Sequence, residues 1–157
     1  MHPSAQKVAD AARQLGLAIE IVEFAQTTRT AQEAADAIGC TVAQIVKSLC
    51  FMVDDQAIIT LVSGTNQLDE KKLAALCGVS RKQVQRADAG FVKEQTGFSI
   101  GGVPPFGHSQ SLRILIDEDL LAFEVIWAAA GTPFAVFAIS PATLQTASNG
   151  TVADLKK

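Results

Sequence analysis

The sequence contains few of the residues that build metal centres and disulfide frameworks. It has two histidines, His2 and His108, and three cysteines at positions 40, 50 and 77, which form no Cys-x-x-Cys pair. Two histidines exclude a histidine-rich metal centre, and a zinc site would have to recruit the scattered cysteines. An odd number of widely spaced cysteines also does not form a disulfide framework, which agrees with a reducing cytoplasm.

Positive charge and long apolar runs are scarce as well. The chain has 13 Lys and Arg against 16 Asp and Glu, a formal net charge of −3. Proteins that grip duplex nucleic acid are usually basic, so we expect no specific DNA binding, although a local basic patch is enough to contact the end of a nucleic-acid chain. The apolar stretch 120–139 is interrupted by Glu124 and by Gly131-Thr132-Pro133, which predicts two buried strands and no membrane span. Without a secretory signal, a cytoplasmic localisation is expected.

The remaining composition is that of one folded domain over residues 1–157, with 48% hydrophobic and 18% charged residues. Caps and apolar periodicity predict helices, the first capped by Ser4, over residues 4–15, 30–38, 69–77, 80–86, 89–95 and from 140 onward. Strands are predicted over 18–24, 49–53, 57–62, 112–116, 123–127 and 134–139, with a loose tail after Asn149. Helices and strands do not alternate regularly, which favours an α+β fold around a mixed sheet.

The most unusual segment is the glycine–proline loop, residues 97–108. Together with Thr96 it forms a span of 13 residues that holds four glycines and two prolines, a composition that suits neither helix nor strand. A rigid loop with exposed N–H groups is able to bind an anion or a developing oxyanion. The alternative is an ordinary rigid connection between strands.

Lys47 is the second unusual feature, because it is charged among apolar neighbours where a short helix meets a strand. The commoner outcome for such a lysine is that its ammonium group reaches solvent. Alternatively, it points into a cleft and binds a phosphate or a carbonyl group.

Other candidate groups carry weaker signals. A Cys–His nucleophile pair has no local support, and the basic stretch 80–86 is typical of a solvated helix face. The carboxylates at 54–55 and 117–119 suit turns and caps.

Taken together, these segments resemble the YbaK family, which comprises the editing domain of bacterial prolyl-tRNA synthetase and its freestanding relatives. The strongest similarities are Gln44-Ile45-Val46-Lys47-Ser48-Leu49 and Gly101-Gly102-Val103-Pro104-Pro105-Phe106-Gly107. Residues 31–35, 61–64, 68–73, 96–98 and 127–133 follow the family order as well. The resemblance implies a partly barrel-like β-sheet surrounded by helices, in a single domain.

The resemblance also implies hydrolysis of mischarged aminoacyl-tRNA without a metal or an organic cofactor. In the family, the lysine that matches Lys47 helps to position the terminal adenosine of the tRNA through phosphate. The Gly-x-x-x-Pro loop, here residues 101–105, holds the aminoacyl carbonyl with backbone N–H groups, while water attacks and the ribose hydroxyl of the substrate assists. Lys47 and Gly101 are therefore the expected catalytic residues. The expected substrate-binding residues are Gly102, Val103, Pro104, Pro105, Phe106, Gly107, Ser48, Gly131 and Thr132.

Amino-acid specificity is left open, since alanine-specific relatives carry a histidine in the region where this chain has Gly131-Thr132-Pro133-Phe134. The expected substrate is a small residue such as alanine, serine or threonine on tRNA-Pro or a related tRNA. The expected partners are the aminoacyl-tRNA acceptor end and, as a candidate, an aminoacyl-tRNA synthetase, with the protein acting as a monomer or a weak dimer. The alternative function is a non-catalytic module of the same fold that binds tRNA or a synthetase.

Overall fold

The computed structural model describes residues 1–25 and 30–157. Within them lie the helices α1 (Pro3–Gln14), α2 (Ala31–Ile38), α3 (Glu70–Cys77), α4 (Ala89–Thr96) and α5 (Pro141–Ser148). The strands are β1 (Ile21–Glu23), β2 (Val46–Val53), β3 (Gln56–Ser63), β4 (Val84–Arg86), β5 (Arg113–Asp117), β6 (Ile126–Ala129), β7 (Ala135–Ile139) and β8 (Thr151–Ala153). Short 3-10 helices cover Val42–Gln44, Arg81–Gln83 and Glu118–Ala122.

Local signals explain where the helices begin and end. The Thr30 hydroxyl accepts the Glu33 N–H at 3.1 Å and caps α2, as predicted. The predicted Ser4 cap of α1 is wrong. The helix begins at Pro3, which suits the first helical position, and Nδ1 of His2 accepts the Ser4 N–H at 3.0 Å.

The hairpin formed by β2 and β3 brings the first candidate residues into the fold. Its turn holds Asp54 and Asp55 with φ of 52° and 69°, the left-handed pair that a two-residue hairpin turn requires. The pairing extends back to Val46 opposite Ser63, so β2 begins three residues earlier than predicted. Lys47 and Ser48 are therefore strand residues whose side chains point to opposite faces of the sheet.

The strands form two sheets, which confirms the predicted α+β fold with mixed strand pairing. One sheet has the order β4-β2-β3-β5-β8, with antiparallel and parallel pairs, and the other has the antiparallel order β1-β7-β6. A parallel bridge between Ile45 and Trp127 joins them beside the start of β2. Along β2, Val46 and Cys50 face the larger core with Phe137, while Phe51 and Val53 face a second core under α3.

Two predicted segments are corrected. The helix predicted over residues 80–86 is a single 3-10 turn followed by β4, because Val84 is buried opposite Val53 of β2 and that pairing outweighs local helical preference. The tail predicted to be loose after Asn149 forms β8, which pairs in parallel with β5, and Leu155 beyond it is fully buried.

Candidate active site

A cleft of about 510 Å³ opens beside the first half of β2. Strand β4 pairs only with residues 51–53 of β2, so it leaves this half of the strand uncovered on that side. Apolar side chains dominate the walls, which come from the segments after β1, at the start of α2, in the glycine–proline loop and around β7. The lining consists of Phe24, Thr30, Ala31, Ala34, Ile45, Val46, Lys47, Ser48, Leu49, Ile100, Gly101, Ala129, Thr132, Pro133, Phe134, Ala135 and Val136.

Lys47 is half-buried on β2, opposite Val62 of β3. Its Nζ donates a hydrogen bond to the main-chain carbonyl oxygen of Asn66. Burial lowers the pKa of Lys47, the Asp117 carboxylate opposes that shift, and Arg86 adds to it. An ammonium group carries three donors, so this group has donors to offer to an anionic ligand besides the one directed at Asn66.

Ser48 follows Lys47 on β2 and also lines the cleft. Its Oγ is buried and has no hydrogen-bond partner among the residues that the structure describes. A buried hydroxyl without a partner costs about 1–3 kcal/mol, and such groups in native proteins usually have an explanation in a ligand or in function. Ser48 is therefore a candidate to bind a polar group of the substrate.

The glycine–proline loop reaches the cleft at Gly101, which is exposed and has a φ of +85°. A Cβ at Gly101 would lie 3.4 Å from Pro133 Cγ. The next residue, Gly102, donates its N–H to Ser99 at 3.0 Å, and its carbonyl accepts the N–H of Gly131 at 2.9 Å. A Cβ at Gly102 would lie 2.6 Å from Thr132 Cα, so the close approach of the two backbones requires glycine.

Across residues 1–25 and 30–157, no three His, Cys, Asp or Glu side chains gather as potential metal ligands. None of the helices described there is long and apolar enough to cross a membrane.

Comparison with known families identifies the architecture. Residues 25–147 match the family model of the aminoacyl-tRNA editing domain, which covers most of the chain. The chain belongs to the aminoacyl-tRNA editing domain family. The predicted resemblance to editing domains is confirmed, and so is the predicted enzyme class, aminoacyl-tRNA deacylase.

The relatives of this editing domain differ in the share of their own length that this chain covers. It is 31% identical over 127 residues to YwhH of Bacillus subtilis (strain 168), an uncharacterised protein, covering 80% of this chain and 79% of YwhH. It is 29% identical over 97 residues to the proline–tRNA ligase of Thermoanaerobacter sp. (strain X514), covering 62% of this chain but only 17% of the ligase. A solved structure described as a proposed trans-editing enzyme for prolyl-tRNA synthetase is 45% identical with a TM-score of 0.95, covering 100% of this chain and 99% of that one.

The editing domain brings four of the predicted site residues together around the cleft: Lys47, Ser48, Gly101 and Thr132. The others lie behind it. Gly102, Val103 and Pro104 are buried, and Gly131 packs against α1, where a Cβ would lie 2.4 Å from the carbonyl oxygen of Ser4.

Pro105, Phe106 and Gly107 line a second cavity of about 400 Å³ on another side of the loop. Phe106 also packs on Phe137, with ring centroids 5.6 Å apart. Nε2 of His108, in the same cavity, lies 2.7 Å from the carbonyl oxygen of Pro104. Burial lowers the pKa of His108, while this hydrogen bond opposes the shift, so the neutral imidazole donates its N–H to the loop.

Two parts of the site were missed by sequence reasoning. Phe24, beyond the end of β1, lines the cleft and donates its N–H to the Phe134 carbonyl at 2.6 Å. Asn66 carries no signal in the sequence, and it accepts a hydrogen bond from Lys47. Asp117 caps a 3-10 helix, as predicted, but its carboxylate also acts on Lys47. Their proximity depends on pairing between distant strands, which no local sequence signal contains.

Proposed function

We propose that this chain is a trans-editing enzyme that hydrolyses the ester between a wrong, small amino acid and tRNA-Pro or a related tRNA. The observation that carries this proposal is the meeting of a lysine, an unpartnered hydroxyl and an exposed glycine backbone around one mainly apolar cleft. Similarity along the whole chain to a structure described as a proposed trans-editing enzyme supports action on tRNA in trans.

In this proposal Lys47 binds the phosphate of the terminal adenosine. Its ammonium group donates one hydrogen bond to Asn66 and offers its other donors to phosphate oxygens. The Asp117 carboxylate counteracts the effect of burial on the pKa of Lys47, which favours the charged form that phosphate binding needs. A charge-assisted hydrogen bond of this kind contributes roughly 1.5–3 kcal/mol.

Gly101 receives the aminoacyl carbonyl. The N–H of Gly102 is already donated to Ser99, Val103 is buried and does not line the cleft, and Pro104 and Pro105 have no N–H. The N–H of Gly101, an exposed residue that lines the cleft, is therefore our candidate oxyanion donor. The oxygen of water adds to the carbonyl carbon, the bond from that carbon to the ribose oxygen breaks, and the ribose oxygen takes up the proton that the attacking water gives up. The neighbouring ribose hydroxyl assists, so that no side chain has to act as nucleophile.

The amino acid lies between the apolar wall and Ser48. Ala34, Ala129 and Phe134 bound a space that suits a short, uncharged side chain. The Ser48 hydroxyl accepts a hydrogen bond from the α-ammonium group of the substrate, which would satisfy its orphaned oxygen.

The proposal is tested by offering the purified protein tRNA-Pro charged with alanine, serine or threonine, and correctly charged prolyl-tRNA, and by following release of the labelled amino acid. We expect rapid release from one mischarged tRNA and slow release of proline. Lys47→Ala should lower kcat/KM roughly 10- to 100-fold, which corresponds to the loss of one charge-assisted hydrogen bond.

Lys82→Ala is the matched control, since Lys82 is an exposed lysine away from the cleft, and it should retain wild-type activity. A fully active Lys47→Ala protein would refute the role given to Lys47. Binding of tRNA without release from any charged form would instead indicate the non-catalytic binding module.

A further inference from the structure

The turn that follows β3 is built to hold one carbonyl oxygen in place. The Asn66 N–H closes the turn on the Ser63 carbonyl at 2.9 Å, and the Ser63 hydroxyl donates to the Ala43 carbonyl at 2.6 Å. Gly64 allows the turn to lie against the neighbouring 3-10 helix, because a Cβ there would come within 2.3 Å of the Val42 carbonyl oxygen. The carbonyl oxygen so fixed is that of Asn66, which accepts the hydrogen bond from Lys47 Nζ.

The side chain of Asn66 fixes the same turn from its other side. Its Nδ2 donates to Asp117 Oδ2 at 2.8 Å and to Asp119 Oδ2 at 2.9 Å, so both amide hydrogens are used. Asp117 is fully buried and also accepts the backbone N–H groups of Ser63 and Asp119, each at 3.0 Å. A buried carboxylate with this many donors is a rigid anchor, because moving any donor would leave the charge unsatisfied.

We propose that Asn66 is a positioning residue that sets the place of the Lys47 ammonium group. The amide, held by Asp117 and Asp119, fixes the Asn66 main chain, and the carbonyl of that main chain fixes Nζ where the phosphate arrives. This inference rests on the proposed function, in which Lys47 binds the substrate. It adds to that function a role for the turn that follows β3.

A merely structural turn would not need this arrangement. The lysine stem is long and rotates freely, so without the carbonyl the ammonium would sample many positions, and binding a phosphate would require it to be ordered at that moment. Holding Nζ beforehand removes part of that cost. The carboxylate of Asp117, reached through the same amide, also supplies negative charge near the ammonium.

A double-mutant cycle tests the inference by measuring kcat/KM for deacylation of the same mischarged tRNA. Asn66→Ala keeps the main-chain carbonyl but removes its anchor, and should lower kcat/KM about tenfold. In the Lys47→Ala background the same change should lower kcat/KM less than about twofold, because no ammonium remains to be positioned. Gln67→Ala, an exposed neighbour in the same segment, is the matched control and should match wild type in both backgrounds.

Two outcomes would overturn the inference or the proposed role of Lys47. Full activity in Asn66→Ala, or an equal loss in both backgrounds, would overturn the positioning role while leaving the proposed function intact. Full activity in Lys47→Ala would remove the role of Lys47 in the proposed function, and the positioning role with it.

Thermal unfolding followed by circular dichroism establishes that each variant is folded. If Asn66→Ala does not fold, Asp119→Ala replaces it in the cycle, because Asp119 is partly exposed and its loss leaves the bond to Asp117 intact. We then expect kcat/KM to fall about threefold when Lys47 is present and to change little in the Lys47→Ala background. An equal loss in both backgrounds would overturn the inference.

Discussion

Ser48 combines its proposed role in substrate binding with a cost to the stability of the fold, and the two effects can be measured separately. Its hydroxyl is buried without a partner among the described residues, so removing it relieves an unsatisfied group. Ser48→Ala should therefore raise the free energy of unfolding by about 1 kcal/mol and lower kcat/KM about tenfold, through loss of the hydrogen bond to the substrate. Urea unfolding and deacylation assays on the same preparations measure both effects.

The free energy of unfolding is expected to rise while kcat/KM falls, so the two effects of Ser48→Ala have opposite signs. Ser111→Ala is a suitable control, since Ser111 is exposed and lies away from the cleft, and it should change neither quantity. A Ser48→Ala protein that loses stability along with activity would show that the hydroxyl supports the fold itself.

At the scale of elements, the glycine–proline loop and the segment before β7 depend on one close approach of their backbones. Gly102→Ala would place a Cβ 2.6 Å from Thr132 Cα, and neither backbone has a flexible end that could move away. We expect the free energy of unfolding to fall by about 1–3 kcal/mol, as in other overpacked sites. Deacylation should fall as well, since Gly101 and Thr132 move apart. Urea unfolding and kcat/KM are the measurements.

Gly90→Ala provides the comparison for that change. Gly90 lies in α4, where a Cβ would have its nearest contact at 3.5 Å, to Asp88 Oδ1. Alanine there should raise stability by about 0.5–1 kcal/mol, because glycine in a helix is conformationally costly. If Gly102→Ala behaved like Gly90→Ala, the loop would not depend on this contact.

Elements with local signals were predicted well, and elements defined by distant pairing were not. The Thr30 cap, the Asp54-Asp55 turn and the Ser140 cap of α5 each place a characteristic side chain or dihedral angle within a few residues. Residues 84–86 and 151–153 were assigned wrongly, because their strand character comes from Val53 and from β5. The same limit applies to the site. Lys47 and the loop of Gly101 are unusual in the sequence itself, and the family resemblance supplied their expected roles. Asn66 and Phe24 come next to them only once the sheets have formed.

At the scale of the whole molecule, His108 links stability to pH. Burial lowers its pKa below the ordinary 6.5, so the unfolded chain binds a proton at this residue more readily than the folded protein does. Its contribution to stability is complete above about pH 6.5 and is lost as the pH falls from there through the lower pKa of the folded state.

We therefore expect wild type to lose more stability than His108→Gln between about pH 7.5 and pH 5.5. Glutamine keeps an N–H donor for the Pro104 carbonyl but does not titrate in this range. Urea unfolding at several pH values compares the two proteins. Parallel stability curves would mean that protonation of His108 does not oppose folding.

The position of β8 has a consequence for the order of events during protein synthesis. Strand β8 pairs with β5 and Leu155 is wholly enclosed, while the Lys156 ammonium lies 2.8 Å from the Asp119 carboxylate that holds Asn66. A ribosome adds roughly 5–20 residues per second and shields the most recent ones. All the other strands end by residue 139, so they emerge first, but the larger sheet gains its last strand, and the second core is sealed by Leu155, only after these late residues have left the exit tunnel. Until then the turn that contains Asn66 lacks the contact from Lys156 to Asp119, so, if this turn positions Lys47 as proposed, we expect the growing chain to gain full deacylase activity only after synthesis has passed this point.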